Sequence, residues 1–499
     1  MVGYTDILVA FLSILFLFYL RWNKNVPVRN WPVVGMLPAL LHNRDRINDY
    51  GTQVLEQGKG TFLFKGPWFA NMNFVVTSDY RNVHHIMSKK FDNYHKGPEF
   101  REIFEPLGDS IFNSDGDRWK SQQKLHHSLI KNSKFKLVVQ RILKQKIYKG
   151  LIPVLESCSE LGSVFDMQDV LHRLMFDNFC LLVLGFDPNC LSLELPEVSY
   201  EKAFDEMEQG VFYRYIVPRS IWKLQKWLRV GQEKKMRKAL GTFGKFLHEQ
   251  ILLKHESLSR KNADEEEEFD LLTAFMLGKY GVKSDRFLRD TALTLLAAGR
   301  DTIAASMTWF IWLVATHPSV EEKILEEVEV NNLHGNEDGE WKIYSEEEMS
   351  KVVYLHGTVC EALRLYPPVP VVPRASIKPD VLPSGHHVSR NTKIFVSVYS
   401  MGRSKEIWGE DCLEFKPERW ISEQGGIVYT PSYKFMPFLA GPRTCLGKDT
   451  SFYQIKIIAL AIIQNYHVEV LENHPVAPSP SMVLTMQNGL HVRVSKRHH

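Results

Sequence analysis

No C-x-x-C pair occurs in this chain, and its six cysteines (158, 180, 190, 360, 412 and 445) follow no regular spacing. That argues against a disulfide framework and fits reduced thiols facing the cytosol. N-x-Ser/Thr acceptors are absent as well, as a cytosolic location allows. G-x-G-x-x-G is missing, so no dinucleotide site of that kind is encoded. Excess charge is scarce: the net charge is +3 and the Lys/Arg clusters are short and scattered, which excludes the electrostatic footprint of a nucleic-acid binder. His84-His85, His126-His127 and His386-His387 lack ligand spacing to a carboxylate or cysteine, and surface or core histidines explain them. Neither an internal repeat nor a long flexible stretch interrupts the 499 residues, and an apolar content of 44% suits one large unit with a substantial core.

What is present begins with an apolar segment. Ile7 to Leu20 is broken only by Ser13, and Arg21 and Lys24 follow. No small-residue cleavage site comes after it, which disfavours a removed signal peptide. Counted from Val2, the segment can span a thin bilayer of ~27 Å with little tilt. Positive charge behind it places the rest of the chain in the cytosol. The expected organisation is a single-pass transmembrane signal anchor in the endoplasmic reticulum over residues 1–25 and a Pro-rich hinge over 26–38. A catalytic domain over 39–499 follows. Pro27, Pro32 and Pro38 would hold the hinge extended.

Beyond the hinge the patterns predict a mainly α chain with a small β region. Strands are expected at Thr61–Phe64, Asn73–Thr77 and Thr392–Val398, and long helices at Ser284–Thr316, Ser319–Asn331 and Met349–Tyr366. Asp264–Glu268 reads as a solvated charge run between helices.

The chemistry concentrates near the C-terminus, in Phe438-Leu-Ala-Gly441-Pro-Arg443-Thr-Cys445-Leu-Gly447. A cysteine in a loop between two glycines, with an arginine two positions before it and a helix start behind, is set to become a thiolate. Gly441 would allow a turn most residues resist, and Gly447 a close approach to the backbone. A small buried hydrophobe is the bland alternative for a lone cysteine. A phosphate loop fails on spacing, since Gly441 lies one residue too far upstream and Asp449 stands where Ser or Thr is needed. Earlier in the chain, Ala298-Gly299-Arg300-Asp301-Thr302 places polar side chains inside an apolar helix, where they cost free energy unless bonded. The small pair Ala298-Gly299 leaves room beside that helix. A threonine bonding back to its own helix would also explain Thr302. Glu361-Ala-Leu-Arg364 puts two charges on one helical face, worth at most ~1 kcal/mol if exposed.

These segments resemble the cytochrome P-450 family. F-x-x-G-x-R-x-C-x-G matches its haem signature at every defined position, followed upstream by the A-G-x-D-T segment, E-x-x-R, and Phe415-Lys-Pro417-Glu-Arg419-Trp420. The resemblance covers the whole chain and implies the cytochrome P-450 fold with haem b. It makes Cys445 the axial iron ligand, Arg443 a propionate partner with Trp119 and Arg374, and Phe438 a residue packed near the sulfur, with Gly447 also at the cofactor. Thr302 and Asp301 become the oxygen-activation pair, one bonding bound oxygen and the other helping deliver protons. Glu361, Arg364 and Arg419 become a structural triad. Two positions depart: Ile303 stands where the family usually has Thr or Ser, and the family's W-x-x-x-R reads Trp119-Lys-Ser-Gln-Gln123, with Lys124 about 100° further round a helix. A charge-assisted bond would be replaced by a neutral one.

Asn30–Pro38, Lys96-Gly-Pro98 and Gly108–Asn113 are similar to the plant branch of fatty-acid and, above all, midchain alkane hydroxylases. That implies a monooxygenase drawing electrons from NADPH through a separate membrane-bound reductase, with Lys120, Lys124 and Lys448 as its docking face. Phe100, Phe104, Phe112, Leu293, Ala297, Val371, Val372 and Leu484 match positions that line the substrate pocket; they are apolar and bring no fixed cation. Oxidative coupling of phenols on the way to alkaloids, as in a sister group, and a non-catalytic haem-binding sensor stay open.

Overall fold

The computed structural model describes residues 26–497 except 71, 261–268, 278–283 and parts of 334–343, with only isolated positions before 26. The anchor segment and the 264–268 charge run lie outside the described residues.

Ten helices carry the argument: α1 (Pro98–Ile103), α2 (Gly116–Ile130), α3 (Met167–Leu184), α4 (Ser199–Ile216), α5 (Arg219–Leu228), α6 (Gly231–Arg260), α7 (Asp285–Ala315), α8 (Pro318–Val330), α9 (Val353–Leu365) and α10 (Lys448–Asn465). α7 is the central one. Ser284 caps its first turn by accepting the Phe287 N–H, and most of its side chains are buried among α3, α6, α9 and α10. Burial on most sides explains why its second half, from Ile303 on, is largely apolar all round.

A five-stranded sheet lies to one side, in the order β1 (Thr61–Phe64), β2 (Phe74–Thr77), β6 (Lys393–Ser397), β5 (Val371–Ser376), β3 (Tyr94–His95). β6 runs parallel to β2 and antiparallel to β5. A second sheet joins β7 (Tyr466–Val470), β8 (His491–Lys496) and β4 (Phe165–Asp166). The three expected strands form within a residue of their expected ends, and β3, β4, β5, β7 and β8 are additional.

Two expectations are corrected. Met349–Tyr366 is not one helix: Val352 leaves helical geometry at ψ 87°, and α9 begins after it. The cause is Glu327 on α8, whose carboxylate accepts the Tyr354 and Leu355 N–H groups at 2.6 and 2.9 Å. The Pro-rich stretch, moreover, does not run extended throughout. Trp31 and Gly35 exchange backbone hydrogen bonds, and Val28 and Met36 are buried against Leu55 and Phe62.

Candidate active site

The loop before α10 is built by two constraints. Gly441 has φ +68°, and a Cβ there would meet the Met87 carbonyl oxygen at 1.9 Å, so only glycine fits. The Cys445 N–H then donates to the Phe438 carbonyl at 2.8 Å, closing the loop. Gly447 has no such need within the protein, since its nearest neighbours to an added Cβ stand 3.9 Å away. Cys445 keeps accessible surface as a residue. Burial pushes the thiol up; the N–H of Gly447 and the Lys448 charge act against that without cancelling it. Arg443 is not among the groups that lower it, contrary to the expectation from sequence. Its guanidinium turns to the Ser114 carbonyl and Asp115, at 2.8 and 2.7 Å, and lies 4.5 Å over the buried Trp119 ring.

Around Asp115 three cations crowd together. Burial lowers Arg443 to about 10. Burial and then the Arg443 charge lower Arg374 to about 9, and burial with both arginines takes Lys96 well down. Asp115 is the carboxylate that acts on all three. Arg374 is 3% exposed, and its Nε and Nη2 have no partner among the described residues. Such a group calls for a further anion of two charges. Haem fits: its propionates would meet Lys96, Arg374 and Arg443, and its iron the Cys445 sulfur. Lys96 was missed from sequence, where Lys-Gly-Pro counted only as a likeness. Gln123 does not replace the family's arginine. Its Nε2 donates to the Pro442 carbonyl at 2.7 Å and so ties α2 to the cysteine loop.

Midway along α7 one narrow stripe is less buried than its surroundings. Ala298 is open and Leu295 and Thr302 half-open, while most neighbours are buried; this i, i+3, i+7 spacing is one helical face. The Thr302 hydroxyl donates to the Ala298 carbonyl at 2.6 Å and keeps its acceptor lone pairs free. Gly299 does not provide the expected space, because a Cβ there would meet the Phe179 ring at 2.0 Å. It lets α3 approach; Ala298 supplies the room. Asp301 points away from the stripe, 1% exposed, with Arg300 Nη1 at 3.3 Å and His172 Nδ1 at 3.8 Å.

Glu361, Arg364 and Arg419 do meet. Arg364 makes a bidentate bond to Glu361 at 2.8 and 2.7 Å, and Arg419 Nε reaches the same carboxylate at 3.3 Å. Trp420 Nε1 and the Lys416 N–H complete its shell, at 2.8 and 3.0 Å. Arg364 also donates to the Gly402 and Cys412 carbonyls, which pins the chain leading to the cysteine loop.

Of the pocket candidates, Phe100, Phe104 and Phe112 form one cluster with ring centroids 4.3 to 5.5 Å apart. Lys96 sits on it, 3.5 Å from the Phe112 centroid, so the expectation of a wall without a fixed cation is corrected. Leu293, buried, and Ala297, half-buried, lie two and one residues before the α7 stripe positions Leu295 and Ala298. Val371 is half-buried on β5, Val372 packs inside the sheet core with Ile394, and Leu484 is fully buried with its carbonyl on Trp309 Nε1.

The cytochrome P450 family model matches residues 26–494. The chain belongs to the cytochrome P450 family. It is 41% identical to the alkane hydroxylase MAH1 of Arabidopsis thaliana, over 100% of this chain and 99% of that one. Noroxomaritidine synthase 1 of Narcissus pseudonarcissus is 38% identical over 99% and 97% of the two chains, and cytochrome P450 86B1 of Arabidopsis thaliana 38% over 99% and 90%. As a P450 monooxygenase it uses haem iron and takes NADPH electrons through a reductase.

Proposed function

We propose that this monooxygenase hydroxylates a long-chain alkane or fatty acid at the cytosolic face of the endoplasmic reticulum. The end-to-end identity with an alkane hydroxylase carries the reading, and the phenylalanine cluster at Phe100, Phe104 and Phe112 supports it as an apolar surface for a hydrocarbon. Haem held by the Cys445 sulfur supplies oxygen activation, which thiolate ligation favours. Lys96, Arg374 and Arg443 would hold its propionates. Gln123 and the triad around Glu361 fix the loop that presents the sulfur. Thr302 offers a hydroxyl oxygen on the α7 stripe, and Asp301 behind it is the acid whose carboxyl takes and gives the protons that reduction of oxygen requires.

The exposed Lys120 and Lys124 on α2 stand near the cysteine loop through the Gln123–Pro442 bond, and Lys448 begins α10 just past that loop. They form the reductase-docking face in this reading. Among the described residues no single helix is long and apolar enough to cross a membrane. Support for a membrane comes from residues 7–20 in the sequence and from exposed Trp31, Val33, Trp68 and Phe69 beside the chain's entry into the domain. Trp227, 77% exposed on α5 with Ile221 and Leu224, adds a second apolar surface.

Noroxomaritidine synthases among the relatives keep oxidative phenol coupling as the second reading. Incubation with reductase, NADPH and a panel of alkanes, fatty acids and phenols separates the two. Products heavier by one oxygen support hydroxylation, and C–C coupled phenols overturn it. The reduced protein with carbon monoxide should absorb near the family's characteristic wavelength, and Cys445→Ala should abolish that band. Removing residues 1–25 should release the protein from the membrane fraction.

A further inference from the structure

Behind the α7 stripe, Arg300 ties two helices together. It is 1% exposed, and its guanidinium packs on the Phe176 ring of α3 and the Phe204 ring of α4, 5.1 and 5.3 Å from their centroids. Nη1 donates to Asp205 at 2.5 Å and Nη2 to Glu201 at 3.3 Å. Those two carboxylates stand four residues apart on α4 and so share one helical face. A planar guanidinium gripped through two nitrogens by one helix has a fixed place and a fixed orientation.

Its neighbour in sequence depends on it. Asp301 is also 1% exposed, and neither of its oxygens accepts a hydrogen bond among the described residues. Arg300 Nη1 lies 3.3 Å from Asp301 Oδ1, an ion pair without a directed hydrogen bond. His172 Nδ1 stands at 3.8 Å, but burial first and the Arg300 charge second lower that ring to about 4, so it brings no positive charge at neutral pH. Among the described residues, Arg300 is therefore the one cation within ion-pair distance of Asp301 at that pH. A buried carboxylate without donors is costly, and this single charge offsets the cost. The form of the contact matters as well. Hydrogen bonds weaken steeply with angle, whereas Coulomb attraction depends on distance, so Arg300 retains the carboxylate without fixing its rotation.

We infer that Arg300 is a positioning residue for the monooxygenase reaction. It holds the buried Asp301 carboxylate behind Thr302 by charge, leaves it free to turn, and takes its own place from Glu201 and Asp205. The role rests on the oxygen-activation reading of Asp301 and Thr302.

The test uses the full-length protein with reductase and NADPH. Arg300→Gln should keep the carbon monoxide band and the substrate KM, yet form several-fold less product per NADPH. The missing electrons should emerge as peroxide. Arg300→Lys, which restores the charge but not the fork, should recover part of the coupling. In an Asp301→Asn background, adding Arg300→Gln should cause no further loss, because a residue that acts through another is not additive with it. If Arg300→Gln does not fold, Asp205→Ala makes the same two comparisons. Its side chain is 49% exposed, and its loss loosens Arg300 without stranding a buried charge. Full coupling in Arg300→Gln, or in Asp205→Ala where that one is used, overturns the role. An undiminished further loss on top of Asp301→Asn overturns it too. Full coupling in Asp301→Asn alone sinks the underlying oxygen-activation reading instead.

Discussion

Arg374 holds two guanidinium nitrogens without a partner in the interior, and this arrangement makes sense only with an anion beside it. The consequence has two signs. Arg374→Met should raise the thermal stability of haem-free protein by about 1–4 kcal/mol, because an uncompensated buried charge is removed. The same change should speed haem loss from the loaded enzyme, measured by transfer to an acceptor globin. Gln123→Ala should also loosen haem, through the loop rather than through charge, at about 1 kcal/mol for one neutral hydrogen bond. At this scale the sequence identified the turn at Gly441 well, because a required turn is a local property. It misjudged the effect of Arg443 on the Cys445 thiol, since its partner Asp115 lies 328 positions away, and it passed over Lys96. A lysine or glutamate in a sequence does not show whether its neighbours in space share or oppose its charge.

Elements were legible wherever a single face or a continuous apolar stretch decided them. α7 and α8 follow their periodicity almost to the residue, and β1 its apolar run. The break at Val352 was invisible because its cause is a carboxylate on another helix. Glu327→Ala should remove both hydrogen bonds to α9 and cost about 2 kcal/mol in chemical denaturation. A second tie joins β3 to the 380–388 hairpin, where Asp380 accepts from His85 Nε2 and Tyr94 Oη at 2.9 Å each. Burial pushes the Asp380 carboxyl up, but these two bonds outweigh it and hold it at about 2. A carboxyl depressed on folding stabilises above its unfolded value and loses that contribution as pH falls through the folded one. Acid unfolding between about pH 4 and pH 2 should therefore be shallower in Asp380→Asn than in the unaltered chain.

For the whole molecule, the sequence by itself determined the fold class and the order of the motifs. Those rest on period, spacing and turn chemistry, which neighbours along the chain impose. Tertiary structure alone decided what faces what. It brought Lys96, Arg374 and Arg443 to one carboxylate, filled the space at Gly299 with Phe179, and left Ala298 exposed and Thr302 half-buried. It also set Glu201, Asp205 and Asp301 around Arg300. The physical reason is that periodicity tells which face of an element is turned inward, while the energy of a buried charge depends on what lies across the gap.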